Sequence, residues 1–132
     1  MMRRLCFALA VAAVPVAVAA ASPEEGMVRY VTDGDTFRLT TGERIRIAGI
    51  DAPETHAGQA KCVLEMKRGQ AAATRLRMII DGRTARFNRV GRSYNRTVAT
   101  VTIAGRDLAD SLIAAGAAKP WPRGRPKPDW CH

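Results

Sequence analysis

Hydrophobic and polar residues alternate in three short stretches of the first half of the chain. The stretches are Met27–Val31, Thr36–Thr40 and Glu43–Ile50. Period-two alternation with β-branched and aromatic residues is typical of half-buried β-strands. Turn residues separate the stretches, at Asp33-Gly34-Asp35 and at Thr41-Gly42. The pattern therefore predicts an antiparallel meander of three strands, because short turns join antiparallel neighbours.

A helical pattern follows a loop at 56–60 and covers Lys61–Ile80. Its periodic positions are Val63, Met66, Gln70, Ala73, Leu76 and Ile80. Steps of three and four residues indicate one face of a helix, and Asp81-Gly82 provides the stop.

The second half predicts two further strands and a short helix. The strands are Thr84–Val90 and Thr97–Ile103, joined by a turn at Gly91–Asn95, and the helix is Arg106–Ala115. The order βββ-α-ββ-α predicts an α+β domain, mainly β, folded as a five-stranded OB-type barrel. The residues from Pro120 onward hold four of the seven prolines, so we expect an extended tail.

The first 21 residues have the pattern of a secretory signal peptide. Arg3 and Arg4 precede an apolar run, and Ala19–Ala21 forms a small-residue cleavage site. The run is shorter than the ~20 residues that a membrane span requires. We therefore expect an exported domain, periplasmic or extracellular, with no membrane span after cleavage. The predicted organisation is a signal peptide at 1–21, a domain at 22–119 and a tail at 120–132.

Two cysteines remain once the signal peptide is removed, Cys62 and Cys131. In an exported chain, two cysteines predict one disulfide, which would tie down the C-terminal tail. Two free thiols or half of a metal site are the alternatives, although the spacing matches no zinc pattern.

The chain is strongly basic, with 132 residues and a formal net charge of +9. This charge favours an anionic partner, with nucleic acid as the leading candidate. Solubility alone is the simpler explanation until a motif supports a partner.

Three clusters carry possible chemistry. They are Asp33-Gly34-Asp35-Thr36, the segment from Arg46 to Glu54, and Arg92-Ser93-Tyr94-Asn95-Arg96. Carboxylates suit a hard cation, arginine suits phosphate oxygens, and glutamate can accept a proton from water. Tyrosine between arginines suits stacking on a base. An ordinary turn, a surface ion pair and a solvated hairpin are the respective structural alternatives.

Taken together, the pattern DGDT, then R-x4-D-x-P-E, then Y-x-R resembles the staphylococcal nuclease family. The resemblance extends over about Met27–Lys119 and includes the LADSLIAAG helix. It implies a calcium-dependent nuclease that cleaves DNA and RNA and leaves 3′-phosphate ends.

The resemblance also implies a role for each matching residue. Asp35, Asp51 and the backbone carbonyl of Ala52 would bind calcium, with Asp33 and Thr36 in support. Glu54 would be the general base. Arg46 and Arg96 would hold the scissile phosphate, and Tyr94 would contact the substrate.

This chain departs from the family in its tail, which lacks the long C-terminal helix. Trp121 or Trp130 can replace the family's stacking residues there, although packing in the core or tail is the simpler role. We expect a monomer acting on single-stranded or frayed DNA and RNA. The alternatives are an OB-fold module that binds nucleic acid without cutting it, and a disulfide-clamped envelope adaptor that binds a protein.

Overall fold

The computed structural model describes residues 11–132. The predicted signal peptide lies partly outside the described residues, and residues 11–23 form no helix or strand. Among the described residues, no helix combines the length and the apolar character that a membrane crossing needs. The signal peptide and the domain boundaries therefore stay predictions.

Eight strands and two helices make up the described chain. In chain order they are β1 (Glu24–Asp33), β2 (Thr36–Leu39), β3 (Arg44–Ile47), β4 (Ile50–Asp51), α1 (Val63–Ile80), β5 (Thr84–Ser93), β6 (Arg96–Ile103), β7 (Arg106–Asp107), α2 (Leu108–Ala114) and β8 (Lys119–Pro120).

Five of these strands close into a barrel. The antiparallel neighbours run in the order β3-β2-β1-β5-β6, and a parallel pairing of β3 with β6 closes the ring. Inside lies a core in which Phe37, Ile45, Ile47, Leu76 and Leu112 are fully buried. The predicted OB-type α+β barrel and its order βββ-α-ββ-α are confirmed, with three two-residue strands added.

The third predicted strand is interrupted, which the alternation over Glu43–Ile50 does not reveal. It ends at Ile47, and the chain turns at Ala48 and Gly49, where Gly49 has a φ of 75° that favours glycine. Beyond the turn, β4 pairs with β8, so that Asp51 lies opposite Lys119. This pairing brings the C-terminal tail to the segment that contains Asp51.

Helix α1 begins after a capping arrangement at Cys62. The Glu65 N–H donates to the Cys62 sulfur at 3.3 Å, and the Lys61 N–H donates to the Glu65 carboxylate at 2.6 Å. These reciprocal bonds satisfy amide donors that a helix start leaves unpaired.

The predicted apolar face of α1 is correct in its second half and wrong in its first. Val63 is 65% exposed, whereas Glu65 and Gly69 are buried. The first half of the helix lies against the backbone of Pro53 and Glu54 and against the tail, instead of the barrel core. The close approach of the Pro53 and Glu54 backbone therefore determines which face of the first half of α1 is buried.

Strand β1 is longer than the predicted Met27–Val31, and two boundaries in the second half of the chain also differ from the predicted ones. The turn predicted at Gly91–Asn95 is confined to Tyr94 and Asn95, because Gly91–Ser93 continues β5. Helix α2 begins at Leu108, two residues after the predicted start at Arg106. The reason is that Arg106–Asp107 pairs with β6, and Asp107 then caps the helix.

The tail is extended after β8, as predicted, and contains no helix from Pro120 to His132. A disulfide joins Cys62 to Cys131, which confirms the predicted pairing. The tail thus starts beside β4 and is joined near its other end to Cys62, the N-cap of α1.

Candidate active site

An open cleft of about 640 Å³ lies at one end of the barrel. It is formed where the β1–β2 turn, β3, β4 with the segment after it, the β5–β6 turn and the tail converge. The polar and charged residues lining it are Asp33, Asp35, Arg44, Arg46, Asp51, Glu54, Gln59, Ser93, Tyr94, Asn95, Arg96 and Lys127. Five separate parts of the sequence therefore contribute to one concave site.

Asp35 is positioned by the turn between β1 and β2. The Thr36 hydroxyl donates to Asp35 Oδ1 at 2.8 Å, and the Ala52 N–H donates to Asp35 Oδ2 at 3.2 Å. Gly34 allows this turn to sit against α1, since a Cβ there would lie 2.7 Å from the Cβ of Ala72. Asp35 is consequently buried and held from both sides.

Asp33 lies at the edge of the cleft, one residue before that turn. Its carboxylate accepts a hydrogen bond from the Thr55 hydroxyl at 2.9 Å. This bond ties the β1–β2 turn to the loop that carries Glu54.

Asp51 is the most deeply buried acid of the cleft, with 2% of its surface exposed. Its Oδ2 accepts a hydrogen bond from the Trp130 indole N–H at 2.8 Å, and its Oδ1 lies 4.0 Å from the Lys127 ammonium. Burial raises the pKa of Asp51, and the charge of Asp35 adds to this. The Trp130 hydrogen bond and the positive charges of Lys127 and Arg46 oppose the rise.

The chemistry of these donors fits a hard cation. Asp35 and Asp51 are desolvated carboxylates whose charges repel each other, and a cation between them would relieve that repulsion. Within residues 11–132, no group of three or more histidine, cysteine, aspartate or glutamate side chains is arranged to hold a metal. A cation here would therefore depend on two carboxylates, a backbone carbonyl and water.

Glu54 is positioned by close backbone contact with α1. A Cβ on Gly69 would come within 2.7 Å of the Pro53 carbonyl oxygen and would overlap the Glu54 carbonyl. The carboxylate of Glu54 is partly exposed and accepts a hydrogen bond from the Lys127 ammonium at 2.9 Å. Burial lowers the pKa of Lys127, but its contacts with Glu54 and Asp51 outweigh this and raise it overall.

Arg46 lies between the two carboxylate-bearing segments. Its guanidinium donates to the carbonyls of Ile47 and Ile50 at 3.3 and 3.1 Å. It also lies 3.6 Å from Asp35 Oδ2 and 5.5 Å from the ring centroid of Trp121. These contacts leave only 12% of its side chain exposed.

Arg96 and Tyr94 line the cleft from the β5–β6 hairpin. The Arg96 guanidinium donates to the Ser93 hydroxyl at 3.3 Å and lies 5.9 Å from the Tyr94 ring centroid. Tyr94 is 93% exposed and adopts a φ of 56° at the tip of the turn. Arg96 therefore contacts mainly its own hairpin, and Tyr94 presents a free ring face to the cleft.

The structure brings the predicted site residues together. Asp33, Asp35, Arg46, Asp51, Ala52, Glu54, Tyr94 and Arg96 all line the cleft, and Thr36 is buried beneath Asp35. Their individual roles stay predictions.

Of the two tryptophans considered for stacking, Trp121 lines the cleft. Trp130 is 5% exposed, so its packing role is the one observed.

Lys127 and the hydrogen bond from Trp130 to Asp51 are the features that sequence reasoning does not identify. Both belong to the tail, which carries no periodic pattern. The one sequence feature that bears on these contacts is the predicted disulfide, because it places Cys131 next to Cys62, a few residues after Glu54.

Comparison with known protein families gives a match. Residues 44–127, more than half of the chain, match the sequence model of a family described as Staphylococcal nuclease homologue. No curated protein matches the chain. The matched segment runs from β3 through Lys127 and therefore includes most of the cleft. The closed five-stranded barrel, the cleft and this match together show that the chain belongs to the staphylococcal nuclease homologue family.

Proposed function

We propose that this protein is an exported nuclease that hydrolyses phosphodiester bonds in DNA and RNA and leaves 3′-phosphate ends. One observation carries the proposal. Asp35, Asp51, Glu54, Arg46 and Arg96 converge from separate elements on a single cleft of a basic protein. A surface ion pair or an ordinary turn would not require all five in one place.

Calcium is the cofactor that we propose for the carboxylates. Asp35, Asp51 and the carbonyl of Ala52 would hold it, consistent with the oxygen ligands that calcium prefers. When bound, calcium would neutralise negative charge on the scissile phosphate.

The remaining residues divide the reaction between them. Glu54 accepts a proton from the attacking water, whose oxygen forms the new bond to phosphorus. The bond from phosphorus to the 5′ oxygen breaks, and the departing 5′ oxygen takes a proton from solvent, which leaves a 3′-phosphate and a 5′-hydroxyl. Arg46 and Arg96 hold the phosphate oxygens as charge develops on them, and such positioned charges are usually the largest catalytic contribution.

The substrate we propose is single-stranded or frayed nucleic acid. The exposed ring of Tyr94 offers a stacking face for a base that has left its duplex. The net charge of +9 predicts that binding weakens as salt increases. We propose a monomer, because all of the proposed cleft residues come from one chain.

The test is hydrolysis of denatured DNA by the mature, oxidised protein, with calcium and with a chelator. Wild type is compared with Glu54→Gln and with the control Glu25→Gln. Glu25 lies on β1, is more than half exposed and pairs with Arg86 away from the cleft. We expect cleavage that requires calcium, is lost in Glu54→Gln and is retained in Glu25→Gln.

A non-catalytic nucleic-acid-binding module is the second candidate. The ion pair between Glu54 and Lys127 favours it, because a general base engaged by an ammonium is less available to water. Folded protein that retards single-stranded DNA without cleaving it would support this candidate. Failure both to cleave and to bind would leave the envelope adaptor that binds a protein.

A further inference from the structure

Trp130 makes a buried contact with the candidate metal site from the far end of the chain. Its indole N–H donates to Asp51 Oδ2 at 2.8 Å, although the two residues are 79 positions apart. Trp130 is 5% exposed and Asp51 is 2% exposed. A hydrogen bond this well shielded from water has no competing solvent partner and holds both groups in place.

The indole is itself restrained from three sides. The disulfide between Cys62 and Cys131 fixes the adjacent residue to the start of α1. Arg68 on α1 donates to the Trp130 carbonyl at 2.7 Å, and the Lys119 ammonium lies 4.4 Å from the Trp130 ring centroid. The donor that reaches Asp51 is therefore part of a rigid frame, even though the tail has no regular structure.

The contact determines how the carboxylate of Asp51 is used. The indole occupies Oδ2, so Oδ1 is the oxygen that faces the cleft and approaches Lys127. Hydrogen bonds to the second oxygen of a ligating carboxylate orient the first and commonly change metal affinity by about 10- to 100-fold.

We propose that Trp130, fixed by the Cys62–Cys131 disulfide, is a positioning residue for Asp51 and that the tail is part of the cation site. The inference rests on the proposed function, since it takes Asp51 to be a cation ligand. It assigns a role in the site to a disulfide that would otherwise serve stability alone.

The test compares Trp130→Phe with Phe87→Leu in calcium titrations followed by calorimetry. Phe87 is the matched control, because it is an aromatic residue buried like Trp130, with 3% of its surface exposed, and it lies outside the cleft. We expect Trp130→Phe to weaken calcium binding about tenfold or more. In Phe87→Leu the calcium affinity should stay within about twofold of wild type.

A second readout separates positioning from general damage. In Trp130→Phe, the calcium concentration for half-maximal cleavage should rise by the same factor, while kcat at saturating calcium stays close to that of wild type. A merely structural residue would lower the melting temperature without shifting the calcium midpoint of the folded protein.

The double variant Cys62→Ser with Cys131→Ser provides an independent arm if Trp130→Phe does not fold. It keeps the Trp130 indole but removes the disulfide that restrains it. We therefore expect it, like Trp130→Phe, to bind calcium more weakly than wild type. Wild-type calcium affinity in the variants that fold would overturn the inference while leaving the proposed function intact. A wild-type protein that neither binds calcium nor cleaves DNA would overturn both.

Discussion

The Lys127 ammonium donates a hydrogen bond to the Glu54 carboxylate at 2.9 Å and lies 4.0 Å from Asp51 Oδ1. A positive side chain thus stands beside both the candidate general base and a candidate cation ligand. Because like charges repel, this ammonium opposes binding of a divalent cation at the same carboxylates.

Lys127→Met should therefore tighten calcium binding by about three- to tenfold at low salt, and less at high salt, where charges are screened. Calorimetric titration measures the change. Arg123→Met is the control, since it removes one positive charge from the same tail without a carboxylate contact among those described. Equal calcium affinities in Lys127→Met and wild type would show that the ammonium leaves the site when the cation enters.

Gly69 lies against the backbone of Pro53 and Glu54, so Gly69→Ala should be harmful. Alanine usually stabilises a helix interior by about 1 kcal/mol relative to glycine. Here the new Cβ would lie 2.7 Å from the Pro53 carbonyl oxygen, so the helix or the Glu54 segment must move.

We expect a lower melting temperature and a loss of kcat in Gly69→Ala. Gln70→Ala, at the exposed neighbouring position, should keep both. An unchanged or higher melting temperature in Gly69→Ala, with full activity, would contradict the close packing described here.

The two arginines of the site should differ in their effect on stability. Arg46 donates to two backbone carbonyls and is mostly buried, whereas Arg96 bonds mainly within its own hairpin. Hydrogen bonds from charged groups contribute about 1.5–3 kcal/mol. We expect Arg46→Ala to lower the free energy of unfolding by about 2 kcal/mol, and Arg96→Ala to change it little.

Both arginine variants should lose about 10²- to 10³-fold in kcat if each side chain holds the phosphate. Denaturant unfolding and steady-state kinetics on the same preparations separate the two effects. A stability loss in Arg96→Ala as large as that in Arg46→Ala would contradict the difference in their contacts.

The fold could be predicted from the sequence because its signals are local. Alternation in β1–β3, β5 and β6 and the turn residues between them specify the barrel order. The interrupted strand at Ala48–Gly49 and the buried face around Gly69 could not be read in the same way. Each depends on another segment of the chain, namely β8 for the strand and the Glu54 backbone for the helix.

The residues of the candidate site fall into the same two groups, those with local sequence signals and those that depend on a distant segment. Asp35, Asp51, Glu54, Arg46 and Arg96 lie in compact motifs, so a family resemblance identifies them together. Lys127 and the Trp130–Asp51 bond depend on where an irregular tail is fastened. A proline-rich segment has no periodicity that would indicate which of its side chains points inward.

The disulfide should also make a large contribution to stability. It joins residues 69 positions apart, and closing a loop of that size stabilises a domain by up to about 4 kcal/mol in the chain-entropy description. Cys62→Ser with Cys131→Ser should lower the free energy of unfolding in denaturant toward that limit. Reduced wild type should match the double variant, and a difference between the two would point to an effect of the serines themselves.

The raised pKa of Asp51 predicts a conflict between stability and cation binding. Burial raises this pKa above its ordinary value of 3.8, so the folded protein holds the Asp51 proton more tightly than the unfolded chain does. The contribution of Asp51 to stability therefore falls as the pH rises from about 3.8 to the raised value and stays low above it. At neutral pH in chelator, the ionised carboxylate is a net cost to the folded state.

Asp51→Asn removes that charge, and its side-chain oxygen can still accept the hydrogen bond from Trp130. We expect Asp51→Asn to melt a few degrees above wild type in chelator at pH 7, with the difference shrinking as the pH falls toward 3.8. Calcium should raise the melting temperature of wild type and leave that of Asp51→Asn unchanged, because a ligand stabilises only a state that binds it. A variant that melts below wild type at pH 7 in chelator would show that the Asp51 charge stabilises the fold, and the site would then involve no such conflict.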